Sequence, residues 1–239
     1  MTRMSDREKA TPPATITTTL LLAISILSSV AQAGVLDRRI ATSYDDAEQR
    51  ANGSISRGDS DLEMVFDKGG NQTVGVRFPD LTIPRGATVT SAWIQFTTDE
   101  KSTTPTALVI DAAAADTTKP FKTTRFSISN LPRTTAKANW NPQAWNVVGE
   151  SAAAQRTPDL SPIIGEIINR PGWASGNAIT LVVAGTGERV AESYNGDAAA
   201  APLLHVEFTG GINMAPSVDA GADINITLPQ NAVALDATV

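Results

Sequence analysis

TVGVRFPDLTIPRGATVTSAWIQF, residues 73–96, is the stretch whose reading decides the fold. Apolar residues occupy every second position in Val74, Val76 and Phe78, and the spacing returns in Ala92, Ile94 and Phe96. A period of two places each set on one face of a strand, and Pro79, Pro84 and Gly86 supply the turn chemistry between them. Trp93 is out of phase with Ile94 and so belongs to the opposite face. Two such strands predict an all-β core of sandwich type.

The composition agrees. The chain has 239 residues, enough for one large sandwich or for one domain and part of another, and its 17 Gly and 14 Pro favour turns and strands over long helices. There is no cysteine, so disulfides and thiolate metal sites are excluded, and stability must come from burial or from an oxygen-liganded ion. The formal charge is −6. An acidic chain of this kind is not expected to bind nucleic acid, which requires a basic face.

Residues 1–33 read as an export signal. A charged start is followed by the apolar run Leu20–Val30 and then Ala31-Gln32-Ala33, so cleavage is expected before Gly34. The run is too short to cross a bilayer, which takes about 20 residues, so no membrane span is expected in the mature chain. The segment removed carries Arg3, Arg7 and Lys9 against Asp6 and Glu8, which leaves the mature chain slightly more acidic.

From Val35 to Asp67 the chain is polar and acidic, with Asn52–Ser60 as a loop and Asp61–Asp67 as a strand. In that strand Leu62, Met64 and Phe66 are expected inward, with Asp61 and Glu63 on a wet face. Ala107–Ala113, Ile179–Ala184 and Leu203–Phe208 read as further strands, whereas residues 114–158 suggest short strands, long loops and aromatic plugs. Ser161–Arg170 is the one helix. Ile163, Ile164, Ile167 and Ile168 recur at helical spacing, with Ser161 placed to cap, Pro162 in the first turn and Pro171-Gly172 as the stop. Gly185–Pro202 is expected to be a polar loop, and loops at sandwich ends are where function commonly sits. After Gly210 the character changes, and residues 211–239 read as a linker followed by the first strands of a further domain.

The block Tyr44–Phe208 resembles the DNRLRE-type carbohydrate-binding modules of large secreted prokaryotic proteins. The resemblance rests on Asp46-Ala47-Glu48, Asp61-Leu62-Glu63, Val74-Gly75-Val76-Arg77-Phe78, the run Pro84–Ala92, Asn139-Trp140-Asn141-Pro142 and the run Ala201–Val206. It implies a jelly-roll β-sandwich over residues 34–210 that binds polysaccharide, often with a structural calcium. The loop Arg189-Val190-Ala191-Glu192-Ser193 departs from the family's more usual Ser-Arg-Glu ending. The tail resembles the opening of a PKD (polycystic kidney disease) repeat, through Ala215–Gly221, Leu228-Pro229 and Val233–Asp236. That implies an incomplete immunoglobulin-like segment and further modules in the same polypeptide.

Clustered acids without cysteine point first to Ca2+, a hard cation that takes carboxylate and carbonyl oxygens. The expected site is Asp45, Asp46 and Glu48, completed by Asp197; the other reading of these residues is a set of solvated acids on a strand edge. For a sugar, an aromatic face beside amides or carboxylates is the useful chemistry, and Trp93, Tyr194 and Asn195 are the expected contacts, with Trp173 expected to plug the core. No catalytic residue is expected. His205, the single histidine, lies in a strand, Asp61 and Glu63 are ordinary same-face acids, and no nucleophile-elbow, zinc or P-loop spacing occurs. The sequence thus leads to a secreted or cell-surface, non-enzymatic module that binds polysaccharide or mediates adhesion. Its rivals are a structural or assembly domain contacting protein, and an accessory domain of a hydrolase whose catalytic part lies beyond residue 239.

Overall fold

A computed structural model describes residues 33–211. In chain order the strands are β1 (Ala33–Arg39), β2 (Asp46–Arg50), β3 (Ile55–Ser56), β4 (Asp61–Met64), β5 (Phe66–Asp67), β6 (Gly70–Phe78) and β7 (Thr88–Gln95). They continue with β8 (Thr98–Glu100), β9 (Ala107–Ala112), β10 (Ala138–Trp140), β11 (Ile179–Thr186), β12 (Arg189–Glu192) and β13 (Leu203–Thr209). One short helix, α1 (Ser161–Ile168), lies between β10 and β11. The expected export signal and the tail resembling a PKD repeat lie outside the described residues. Among the described residues no helix is long and apolar enough to cross a membrane.

The strands form three antiparallel sheets, ordered β1-β13-β7, β10-β9-β11-β6-β2-β3 and β4-β12-β8, with β5 pairing the start of β6. The two strands of residues 73–96 form as their alternation requires, since Val74, Val76, Phe78, Ala92, Ile94 and Phe96 are all fully buried. They enter different sheets. β6 lies between β2 and β11, and β7 lies beside β13. Cross-strand partners share a face, so Leu181 and Val183 extend the inner face of Val76 and Val74, while Leu204 and Val206 extend that of Ile94 and Ala92. Side chains from all three sheets and the four isoleucines of α1 meet in one apolar core.

The middle of the seven-stranded sheet is covered on its outer face as well. Ala47, Gly75 and Val182 stand in register there, and Phe121 and Ile128 from the long 113–137 connection pack over them in a second small core. Only a residue without a side chain admits the Phe121 ring, because a Cβ on Gly75 would meet it at 2.5 Å.

Three local expectations are corrected. In the strand expected over Asp61–Asp67, Val65 is buried and Phe66 is 37% exposed, because the chain leaves β12 after Met64 and joins β6 at Phe66, which resets the inward phase. At the start of α1 the capping position is Leu160, not Ser161. Asp159 does the capping instead: its carboxylate accepts the Ser161 N–H at 3.0 Å and the Ser161 hydroxyl at 2.5 Å. The expected loop Gly185–Pro202 contains β12, whose Arg189, Val190 and Ala191 are all buried. Trp173 is the expected plug, buried with its indole N–H donating to the Ile83 carbonyl at 3.0 Å.

Arg189 is only 2% exposed. Its guanidinium donates to the carbonyls of Gln143, Thr104 and Pro142 and to the Thr106 hydroxyl, each at 2.8 Å, and to its neighbour Glu188's carbonyl. Burial lowers its pKa from the ordinary arginine value, and the Glu188 charge opposes that shift. Replacing Arg189 by Leu strands these acceptors and is expected to cost about 3 kcal/mol or more. Arg189→Lys keeps the charge but not the planar fork, and should recover only part of it. Urea unfolding of the two variants beside the parent checks this, and a Leu variant of parental stability would contradict it.

Candidate functional site

The polarity of β2 is inverted. Asp46 pairs with Val76 and Glu48 with Val74, which are core-facing residues, so both acids occupy the inner face while Ala47 faces outward under Phe121. Asp46 and Glu48 are accordingly 2% and 1% exposed. Asp46 Oδ2 accepts the Tyr194 N–H at 2.8 Å, and Glu48 Oε1 accepts the Glu63 N–H at 2.5 Å. Glu48 Oε2 is buried with no hydrogen-bond partner. Burial, reinforced by the Glu63 carboxyl, pushes the Glu48 pKa up to about 9. Burial also raises Asp46 to about 6, against the opposing Tyr194 N–H.

Asp46, Glu48, Asp59, Asp61 and Ser193 line a cavity of about 10 Å³. That is room for one water molecule or one ion. Arg57 borders it, but its guanidinium lies over the Tyr44 ring at 4.7 Å and donates to the Phe121 carbonyl.

Asp61 joins this cavity to an outer group of acids on the three-stranded sheet. Carboxylate oxygens of Asp61, Asp99 and Glu100 lie within 4.8 Å of one another. Glu192 stands directly across from Asp61 in the register of β12 and β4, a placement that is destabilising for like charges. Asp61 is raised to about 6, by burial first and then by Glu63, Asp99 and Glu100. Glu192 is raised to about 7, by burial and then by the carboxyls of Asp99, Asp197 and Asp61. Among the described residues none of these acids is ion-paired with Lys or Arg. A carboxylate-only donor set with an orphaned buried oxygen suits a hard divalent cation, Ca2+ before any softer metal.

The loop after β12 is fixed against this group. Ser193 Oγ donates to the Asp59 carbonyl at 2.7 Å and accepts the N–H groups of Asn195 and Gly196. Gly196 passes so close that a Cβ would lie 2.0 Å from the Ser60 carbonyl oxygen.

The four expected metal ligands therefore divide. Asp46 and Glu48 come together, but Asp45 is turned to Arg77 Nη1 at 2.5 Å and to the Thr42 hydroxyl at 2.9 Å, so its oxygens are already committed. Asp197 is exposed at the rim, where its Oδ1 accepts the Ala199 N–H at 2.8 Å. Asp59, Asp61, Asp99, Glu100 and Glu192 are additions to the expected set. The signal for Asp46 and Glu48 is the D-A-E pattern, small residue out and acids in, whereas Asp61 and Glu192 meet only through a pairing of strands far apart in sequence.

Of the expected sugar contacts, Trp93 does face outward between buried Ala92 and Ile94. Its ring is not free. His205 from β13 stacks on it with centroids 4.0 Å apart, and Arg156, bridged to the other edge of β7, lies over it at 4.6 Å. Asp37 and Glu207 hold the two imidazole nitrogens at 2.7 and 3.4 Å. Tyr194 is half-buried against the core, and Asn195 is exposed beside it. Neither comparison, with protein-family models or with curated proteins, finds a match to this chain.

Asp46, Glu48, Asp61 and Glu192 all hold protons more tightly in the fold than in an unfolded chain, where such groups titrate near pH 4. The folded state then binds more protons than the unfolded state from about pH 4 to about 7, and to about 9 for Glu48, so stability falls as pH rises through that window. Thermal melting in chelator is expected to give midpoints that decline from about pH 5 to about pH 8, with Ca2+ removing most of the decline by holding the ionised carboxylates. A midpoint that climbs over the same range in chelator would contradict the assignment.

Proposed function

We propose that this chain is an exported, non-catalytic β-sandwich module of jelly-roll type that takes up Ca2+ in the carboxylate cluster and binds polysaccharide at its surface. The observation that carries the cation is Glu48 Oε2, a buried oxygen without a partner in a cavity walled by further carboxylates. Burying one such charge is costly; burying several without a counter-ion is costlier still, and a divalent ion offsets both the desolvation and the mutual repulsion. Asp46, Glu48, Asp59 and Asp61 are the inner donors, and Asp99, Glu100 and Glu192 complete the field outside. The ion's role is structural: it locks β2, β4, β8 and the 193–197 loop together.

The polysaccharide reading is supported by the resemblance of Tyr44–Phe208 to DNRLRE-type modules and by a surface that offers exposed Tyr44 and Asn195. The jelly-roll assignment rests on the same resemblance, together with the antiparallel sheets around a shared core.

Glu48→Gln separates the cation from mere acidity. The variant should melt higher than the parent in chelator near neutral pH, because Gln needs no proton taken up on folding as Glu48 does, and should lose most of the Ca2+-induced rise. In the parent that rise corresponds to about 2.7 kcal/mol at a free Ca2+ concentration 100 times the dissociation constant. Equal melting of the parent in Ca2+ and in chelator would overturn the cation site. Retention of the protein on insoluble or immobilised polysaccharides, acidic and neutral, tests the remainder, and no retention on any of them would overturn it.

A further inference from the structure

The long connection that covers the outer face of the seven-stranded sheet leaves an open groove of about 410 Å³ between its own limbs, within the size range of small-ligand sites. Its apolar surface comes from Pro120, Phe121 and Leu131, and hydroxyls of Thr117, Thr118, Thr124, Ser127 and Thr180 stand among them. Lys119 and Lys122 complete the lining, both exposed and neither ion-paired among the described residues.

The groove is held in shape. Arg77 Nε donates to the Thr118 carbonyl at 3.0 Å, the Thr118 and Thr180 hydroxyls meet at 2.8 Å, and Arg57 donates to the Phe121 carbonyl at 3.1 Å. Phe121 is fixed over Gly75. Ser127 Oγ is buried without a hydrogen-bond partner. Such a site needs little ordering on binding, so more of the contact energy is left for affinity.

Its charge runs against that of the molecule. Residues 112–140 carry five basic residues against the single Asp116, in a chain whose net charge is −6. Arg133 and Lys137 are turned to Asp111, and Arg170 holds Asp116, so the cations of this segment left without a carboxylate partner are Lys119, Lys122 and Arg125, the last of which donates to the Asn52 carbonyl.

We infer that this groove is a saccharide subsite selective for an acidic sugar, a uronate unit within a polysaccharide. The inference rests on the polysaccharide reading above and adds to it a place and a class. A pyranose ring brings an apolar C–H face, which suits exposed Pro120 and half-buried Leu131 above the buried Phe121, and hydroxyl edges, which suit the threonines. The carboxylate is what Lys119 and Lys122 select, through charge-assisted hydrogen bonds.

Isothermal titration of the protein, in Ca2+, with oligogalacturonate, with a neutral galactose oligomer of equal length and with poly-L-glutamate tests this. Oligogalacturonate should bind about tenfold or more tighter than either of the others. The double variant Lys119→Gln/Lys122→Gln should lose about tenfold for oligogalacturonate and show a shallower salt dependence, while Lys68→Gln/Lys101→Gln, which changes net charge equally elsewhere, should stay within about twofold. Oligogalacturonate affinity unchanged in the groove variant overturns the subsite, as does equal affinity for poly-L-glutamate. If the neutral oligomer binds as well as the acidic one, the selectivity fails and the polysaccharide reading stands; if neither oligomer binds, both fail.

Discussion

A buried guanidinium must find an acceptor for each N–H it points inward, and Arg189 meets that demand with oxygens from three separate stretches of chain. No carboxylate is involved. The loops at 104–106 and 142–143 therefore close on β12 through fixed carbonyl directions, and β12 in turn holds β4 on one side and β8 on the other. The acidic residues of all three strands are brought together by that arrangement. A strand that carries Arg189 at one end and Glu192 at the other thus organises a buried cation of its own and a field of unneutralised anions.

Local pattern makes much of this fold legible. The alternation in Val74–Phe78 and Ala92–Phe96, the isoleucine stripe of α1 and the strands at Ala107 and Leu203 follow from spacing, because period specifies the buried face, whereas the strand at Ile179 is an unbroken apolar run covered on both faces. Pairing partners do not follow from spacing. β6 and β7 are neighbours in sequence yet enter different sheets, and β1 finds β13 at the far end of the described chain. β12 is hidden for a chemical reason, since a strand beginning with a buried arginine and ending in glutamate reads as a polar loop. The site is half legible in the same sense: Asp46 and Glu48 stand two apart on one strand, but Asp61, Asp99 and Glu192 become neighbours only when β4, β8 and β12 pair.

Charge is distributed as two opposed poles across the seven-stranded sheet. The acids of β2 lie on its inner face with the core, while Lys119 and Lys122 belong to the covering layer on its outer face. Ala47, between Asp46 and Glu48, is the pivot of this division, because its methyl group lies under the outer layer while its neighbours line the carboxylate cavity. The acidic cavity and the basic groove therefore share no side chain.

The register of β1 with β13 also sets how the domain responds to load. Ala33 pairs with Thr209 and Arg39 with Leu203, so the two ends of the described chain leave side by side from the same end of the ladder. Tension applied through those ends pulls across the ladder rather than along it, and its hydrogen bonds break in succession, as a zipper opens, instead of being sheared together. With β1 peeled away, the next strand to yield is β13, which carries Leu204 and Val206 of the core. The described domain is mechanically soft to tension applied through those two ends.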